Sequence, residues 1–354
     1  MSTDELNIDR EARRAERQKR RRKRILMRRI KWAVIFLLLL AVAAVVYFWL
    51  QSRQSEPEPV DEPAQPALAV LDPAPTPVPT PTPEPEEAFF TTENTAVISD
   101  ALPSAYAVVI DAETGEILAQ RDSDVPINPA SMTKVLTLLV AAENIPDRAG
   151  TWTMTAEAQE YCFVNECSIV GYKVGETAPV EELFYGCIMN SGADACLGLA
   201  ELAAGSHEAF VELMNEKLAE LDIDDTAHFT NCVGLYDENH YCTLEDLALI
   251  LRTAWEDEFC RQVLTCRTMF LTPTEQHPEE QAMSNWFIRR IEDQDTGSVT
   301  VLTGKTGWVE ESGHCAVSYG EDETGHGYLC VTAKSTGTLQ AVADQAELYR
   351  TYCK

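Results

Sequence analysis

The chain has 354 residues and a formal net charge of −29, with 57 Asp and Glu against 28 Lys and Arg. So acidic a protein makes an improbable partner for nucleic acid. It is long enough for one sizeable domain with segments to spare.

The first 31 residues run against the overall charge, with thirteen Lys or Arg and five Asp or Glu, a net of +8. Subtracting that +8 from −29 leaves −37 for everything after Lys31. From Trp32 to Leu50 nineteen residues pass without a charge, about the length that crosses a bilayer. A basic flank ahead of the span predicts a cytoplasmic N-terminus and an extracytoplasmic remainder, a single-pass membrane protein. A cleaved signal peptide is the alternative, but the basic region is long for one and Tyr47-Phe48-Trp49-Leu50-Gln51 offers no small-residue cleavage pattern. Residues 51–90 read as a Pro/Glu-rich linker: eleven of the eighteen prolines fall between Gln51 and Glu87, a composition that stays extended and buries no core. The division predicted is a basic tail (1–31), a membrane anchor (32–50), the linker (51–90) and a folded domain (91–354).

Within that domain, Tyr106–Ile110 and Gly115–Ala119 are strand candidates around the turn Asp111-Ala112-Glu113-Thr114-Gly115. Ser131-Met132-Thr133-Lys134 follows Pro129 and Ala130 and opens the apolar run Val135–Ala142, which predicts a helix over Ser131–Glu143. Residues three apart share a helix face, so the Lys134 amine comes within reach of the Ser131 hydroxyl. To accept its proton the amine must be neutral, which requires burial or a second cation to pull its pKa down from about 10.4. Lys305 is the expected second cation. Ser-x-x-Lys alone is also what an accidental helix start with an exposed lysine looks like, so the partner motifs decide.

Ser191 stands between two apolar runs, Leu183–Met189 and Ala193–Ala203, which suits a loop between helices with its hydroxyl in a cleft. Helices are expected at Val180–Met189, Asp194–Ala203, Glu208–Leu221, Thr243–Trp255 and Leu339–Tyr352, with Asp194 as the cap of the second. Lys305-Thr306-Gly307 closes the strand-like run Val299–Gly304, and Cys315–Tyr319 and Tyr328–Ala333 complete a predicted meander. Lys334 follows the last strand and is read as a solvated surface lysine. His228, Cys232, His240 and Cys242 have zinc chemistry without a standard ligand spacing, so neither a metal nor a cofactor is expected. His240 is instead expected to brace the loop Asn231–Thr243.

All eleven cysteines lie between Cys162 and Cys353. Outside the cell they could pair, and an odd count leaves one over. Cys162 with Cys167 and Cys232 with Cys242 are the plausible local pairs, whereas Cys196 and Cys315 read as buried small hydrophobes.

Ser-x-x-Lys, a Ser-x-Asn-type motif and Lys-Thr-Gly are the joint signature of penicillin-binding proteins and class A β-lactamases. Over roughly Ala105–Tyr352 the chain resembles the D-alanyl-D-alanine carboxypeptidases of the low-molecular-mass penicillin-binding proteins. The resemblance rests on Ala130–Lys134, Val174-Gly175-Glu176-Thr177, Ser191-Gly192-Ala193-Asp194-Ala195, Phe229–Leu235, Glu238–Thr243 and Gly304–Gly307. It implies an α+β fold of β-lactamase/transpeptidase type: an antiparallel sheet flanked by helices, a helical subdomain, and the active site at their junction.

It further implies that Ser131 attacks the carbonyl of a D-Ala-D-Ala peptide, Lys134 takes its proton, and Ser191 bridges the two lysines and relays a proton to the leaving D-alanine. Lys305 and Thr306 would hold the substrate carboxylate, and the backbone N–H groups of Ser131 and Trp308, beyond Gly307, the oxyanion. The substrate would be the peptidoglycan stem peptide, with β-lactams as covalent inhibitors and no cofactor. The N-terminal span would stand in for the C-terminal amphipathic anchor of some members.

One departure is visible: Ala193 replaces the Asn of Ser-x-Asn, removing an amide that Asn190 or another neighbour would have to replace. No Glu-x-x-Leu-Asn loop supplies a β-lactamase deacylating base, so penicillin is expected to acylate Ser131 and stay. The alternatives are a transpeptidase or endopeptidase on the same site and a non-catalytic β-lactam or muropeptide sensor.

Overall fold

Alternation along one strand divides the core of the computed structural model, which describes residues 88–353. In β2 (Tyr106–Asp111), Val108 and Ile110 enter one apolar cluster and Ala107 and Val109 another on the opposite face of the sheet. Both clusters are buried, so β2 is central and reads as a continuous apolar run. The tail, the expected membrane span and nearly all of the linker lie outside the described residues. The folded part reaches back to Phe89, which is buried, and Phe90, which bridges to Glu116.

The sheet has six strands: β1 (Ala96–Val97), β2, β3 (Ile117–Arg121), β8 (Thr300–Val309), β9 (Gly313–Glu321) and β10 (Gly327–Ser335). Their order is β1-β3-β2-β10-β9-β8. Every pairing is antiparallel except the short edge strand β1, which runs parallel to β3, so the sheet is mixed rather than purely antiparallel. Lys305-Thr306-Gly307 lies inside β8 instead of closing it: the ladder with β9 continues from Lys305↔Val317 to Val309↔Gly313. A sequence reading that stops at Gly304 mistakes two glycines in a strand for its end.

One sheet face carries the C-terminal helix α9 (Thr338–Tyr352), whose Val342, Ala346 and Tyr349 pack with Val301, Ala316 and Cys330. The other face carries α1 (Thr133–Asn144), α6 (Leu244–Glu256) and the helical region built from α2 (Ala156–Val164), α3 (Val180–Met189), α4 (Ala193–Ala204) and α5 (His207–Glu220). Thr243 and Asp246 form a reciprocal capping box that starts α6 one residue after the predicted Thr243. The expected helices all occur within about two residues of their predicted ends, as fraying allows.

Short elements went unread: α2, α7 (Glu258–Thr265), α8 (Ile288–Ile291) and the two-stranded pairs β4 (Thr151–Thr153) with β5 (Thr177–Pro179) and β6 (Thr268–Leu271) with β7 (Gln281–Ser284). In α2 only Ala158 and Cys162 are buried, so no apolar stripe announces it. Among the described residues no helix is long and apolar enough to cross a membrane.

The eleven cysteines are free thiols, so neither expected disulfide is formed in this structure. Cys232 and Cys242 are wholly buried on the two sides of their loop. Cys196 and Cys315 are buried as expected.

Candidate active site

The Ser131 turn is fixed before any catalytic contact is made. The Asn128 side chain accepts from the Ala130 N–H at 3.0 Å and donates to the His240 carbonyl at 2.9 Å. Ala130 sits at φ +48°, in the left-handed region. It opens a single 3-10 turn, Ala130–Met132, that runs into α1. A non-glycine residue there is strained, a condition that persists only where surroundings enforce it. Here two glycines do so. A Cβ on Gly234 would lie 1.9 Å from the Ala130 carbonyl oxygen, and one on Gly307 would lie 2.9 Å from the Ser131 nitrogen. The loop after α5 and strand β8 therefore both close directly on the backbone at Ala130 and Ser131, as only residues without a side chain can.

One turn along the helix, the Lys134 ammonium donates to Ser131 Oγ at 3.1 Å and to the Val233 carbonyl at 2.5 Å. Lys134 is 2 % exposed and Ser131 is half-buried. The Val233 carbonyl is presented by a loop wound around Asn231, whose Oδ1 accepts from the N–H groups of Val233, Gly234 and Leu235 at 2.8–3.2 Å.

From the opposite side, Lys305 donates to Ser191 Oγ at 3.0 Å and to the Thr306 carbonyl at 2.8 Å. Lys305 is 4 % exposed, and burial, with the nearby Lys134 charge second, holds its pKa down to about 7. Ser191 is in the loop between α3 and α4 as expected, at φ +52°. Its described partner is Lys305 alone; the expected bridge from Ser191 to both lysines is not formed. Thr306 is half-buried beside the site, and Trp308 is 60 % exposed at its mouth. Lys334 lies away from this cluster, exposed over the Tyr106 ring.

Around the lysines stands a layer of thiols. Cys187 donates to the Lys134 carbonyl at 3.6 Å, Cys196 to Cys187 at 3.3 Å and Cys315 to the Gly307 carbonyl at 3.3 Å. Burial raises Cys196 well above its ordinary range and Cys315 to about 12, so these two are neutral filling and not nucleophiles.

Two expectations are corrected. Asp194 does not cap α4, whose N-cap is Gly192 without a side-chain bond. Its buried carboxylate instead accepts from the N–H groups of Val170 and Gly171, each at 2.8 Å, tying a neighbouring loop to the Ser191 motif. Ala193 is buried and its N–H donates to the Ser168 carbonyl at 2.8 Å. Asn190 does not replace the missing amide: among the described residues its side chain has no hydrogen-bonding partner.

His240 does brace its loop, and it also reaches the helix that carries Thr133 and Lys134. Its Nδ1 accepts from the Thr230 N–H at 3.0 Å, which leaves Nε2–H to donate to Thr133 Oγ1 at 2.8 Å. Burial lowers its pKa to about 3, so it is a neutral strut. His228 hydrogen-bonds the Asn239 carbonyl, and no cluster of three potential metal ligands occurs among the described residues. Sequence reasoning missed the Val233 carbonyl, for which the only signal was the Asn231–Gly234 spacing.

Residues 92–331 match the sequence profile of peptidase S11, D-alanyl-D-alanine carboxypeptidase. The chain belongs to this family. The D-alanyl-D-alanine carboxypeptidase DacF of Bacillus subtilis is 34 % identical over 146 residues, 41 % of this chain and 37 % of that protein. DacA of Escherichia coli K12 is 35 % identical over 151 residues, again 37 % of its length. The matched stretch thus spans well under half of these relatives.

A D-alanyl-D-alanine carboxypeptidase structure from Mycobacterium tuberculosis superimposes with a TM-score of 0.63 at 25 % identity, covering 73 % of this chain and 95 % of that one. The Streptomyces K15 DD-transpeptidase gives 0.63 at 21 % identity over 70 % of this chain and 97 % of its own, a likeness of fold. The fold is the DD-transpeptidase/β-lactamase-like one, a mixed sheet flanked by helices with a helical region.

Proposed function

We propose that the protein is a serine-type D-Ala-D-Ala carboxypeptidase that removes the terminal D-alanine from peptidoglycan stem peptides. The observation that carries this reading is the paired contact of two buried lysines with two serine hydroxyls, Lys134 with Ser131 and Lys305 with Ser191.

Ser131 attacks the carbonyl of the penultimate D-alanine and gives its proton to the Lys134 amine, which lies 3.1 Å from its hydroxyl. Lys305, whose pKa burial and the nearby Lys134 charge hold down to about 7, stands across the site from that amine. The negative oxygen of the tetrahedral intermediate is received by the backbone N–H groups of Ser131 and Trp308, and Gly307 leaves the room between them. Ser191 passes a proton to the departing D-alanine nitrogen, and Lys305 with Thr306 holds its carboxylate. Water then cleaves the ester on Ser131. β-Lactams acylate the same serine.

The uncharged stretch Trp32–Leu50 and the proline-rich residues after it fit a membrane tether and spacer, with the catalytic domain outside the cytoplasm. Ala193 is the observation that favours a second reading, a β-lactam or muropeptide sensor that acylates without turning over.

The test incubates the full chain, in detergent, with a fluorescent penicillin and separately with a D-Ala-D-Ala-ended peptide. Labelling together with free D-alanine, both lost in Ser131→Ala, is expected. Labelling without D-alanine selects the sensor, and absence of both refutes the reading.

A further inference from the structure

The C-terminus of α2 ends in a motif whose geometry joins two thiols that the proposed reaction does not use. The Cys167 N–H donates to the Cys162 carbonyl at 3.0 Å and the Glu166 N–H to the Phe163 carbonyl at 3.3 Å. Glu166 between them adopts φ +53°. This pattern of bonds defines a Schellman C-cap, which brings the side chains three residues before the cap and two after it into contact. In most proteins that contact is apolar; here both positions are cysteine.

The cap thus sets the two thiols side by side, and Cys162 is the largest cause that lowers the Cys167 pKa, with the Lys134 charge acting in the same direction against burial. Cys167 is half-buried and Cys162 buried, so of the two residues Cys167 is the one nearer solvent. That is the arrangement of an attacking thiol with a resolving partner.

The residues immediately after Cys167 couple the pair to the site. The Ser168 carbonyl accepts from the Ala193 N–H, and the Val170 and Gly171 N–H groups donate to Asp194. Within a few residues of the cap, therefore, the chain forms the wall that holds the Ser191 motif.

We propose that Cys162 and Cys167 are a redox-reactive pair that closes to a disulfide by exchange with a disulfide-bearing oxidant, stapling the end of α2 and stiffening the wall behind Ser191. In the first step the Cys167 thiolate attacks one sulfur of the oxidant, forming a mixed disulfide and expelling one thiolate, which takes up a proton. Cys162 then gives up its proton and attacks the Cys167 sulfur, expelling the second thiol. Two protein thiols are oxidised and one external disulfide is reduced to two thiols. The staple does not depend on what Ser131 attacks; any effect on turnover rests on the carboxypeptidase reading.

The experiment treats the full chain with oxidised glutathione, maps cross-links by peptide mass spectrometry and measures amide hydrogen exchange. A Cys162–Cys167 bridge is expected, with exchange at Val170, Gly171 and Ala193 slowed at least threefold relative to the reduced protein. Cys162→Ser and Cys162→Ala should instead hold glutathione on Cys167 and show no slowing. A persistent mixed disulfide on Cys167 in the unsubstituted chain, a bridge at Cys187–Cys196 in its place, or a Cys162–Cys167 bridge that leaves those amides unchanged would each overturn the proposal. None of these readouts uses catalysis, so an inactive enzyme with a correct bridge would count against the proposed function alone.

Discussion

The two walls of the site are built by different means. On the β8 side, backbone meets backbone: Gly307 lies on the Ser131 nitrogen and Gly234 on the Ala130 carbonyl, with no side chain between. On the Ser191 side, a buried carboxylate does the joining, Asp194 to the N–H groups of Val170 and Gly171. The first wall tolerates no added atom, and its motif, Lys-Thr-Gly, is intact. The second is held by hydrogen bonds that a substitution weakens without a clash, and there the family pattern is broken, at Ala193. Steric contacts fail all at once; polar ones fail by degrees.

The largest effect expected is that of Gly234→Ala. Its Cβ would meet the Ala130 oxygen at 1.9 Å from a backbone at φ +78°. Overpacking and the left-handed conformation together should cost about 3–5 kcal/mol, read as a fall in Tm together with lost penicillin labelling. An unchanged Tm would mean that the loop is not pressed on the Ala130–Met132 turn.

Gly307→Ala is aimed at the oxyanion side of the same wall. Its Cβ would contact the Ser131 nitrogen at 2.9 Å, and loss of one oxyanion donor costs about 100-fold or more in rate. Stopped-flow acylation should show that drop, with a fall in Tm smaller than that of Gly234→Ala.

For the polar wall, Asp194→Asn keeps the shape and replaces one of the two oxygens that three backbone donors, Val170, Gly171 and Ala195, share. About 2 kcal/mol of stability should go, by chemical denaturation, with acylation reduced less than in Gly307→Ala. Equal or larger damage to acylation would erase the distinction between the walls.

His240 supplies a pH test of the strut behind the steric wall. Its folded pKa of about 3 lies below the ordinary 6.5, so the unfolded chain binds the proton more readily. Its contribution to stability is complete above about pH 6.5 and is lost as pH falls towards 3, at no more than about 1.4 kcal/mol per pH unit. A variant His240→Gln should flatten that part of the stability profile. The smallest change expected is from Ala193→Asn, a gain in peptide turnover of less than about tenfold, the worth of one neutral hydrogen bond.

What could be read in the sequence obeys the same division. Ser131, Lys134, Ser191 and Lys305 were legible because helix periodicity and short motifs fix residues near in sequence. Five of the six strands of the main sheet were legible from their apolar runs. The Val233 carbonyl under Lys134 was not, because a backbone acceptor 99 residues away carries no residue signature. Asp194 read as a cap from its position after a loop, but its side chain turned to a segment 23 and 24 residues upstream. The helix α2 escaped because its buried face is only Ala158 and Cys162, and β8 was cut short because Gly304 and Gly307 look like turns and are points of close approach to Phe287 and Ser131.

The central claim is that the Lys134 amine makes Ser131 nucleophilic, and acylation of Lys134→Met by fluorescent penicillin, with the adduct mapped by mass spectrometry, tests it most directly. The account predicts an adduct on Ser131 in the unsubstituted chain and, in a variant that keeps its Tm, acylation slowed by about 100-fold or more, as loss of a general base does. Acylation of the variant at the original rate, or an adduct on any residue other than Ser131, would contradict it.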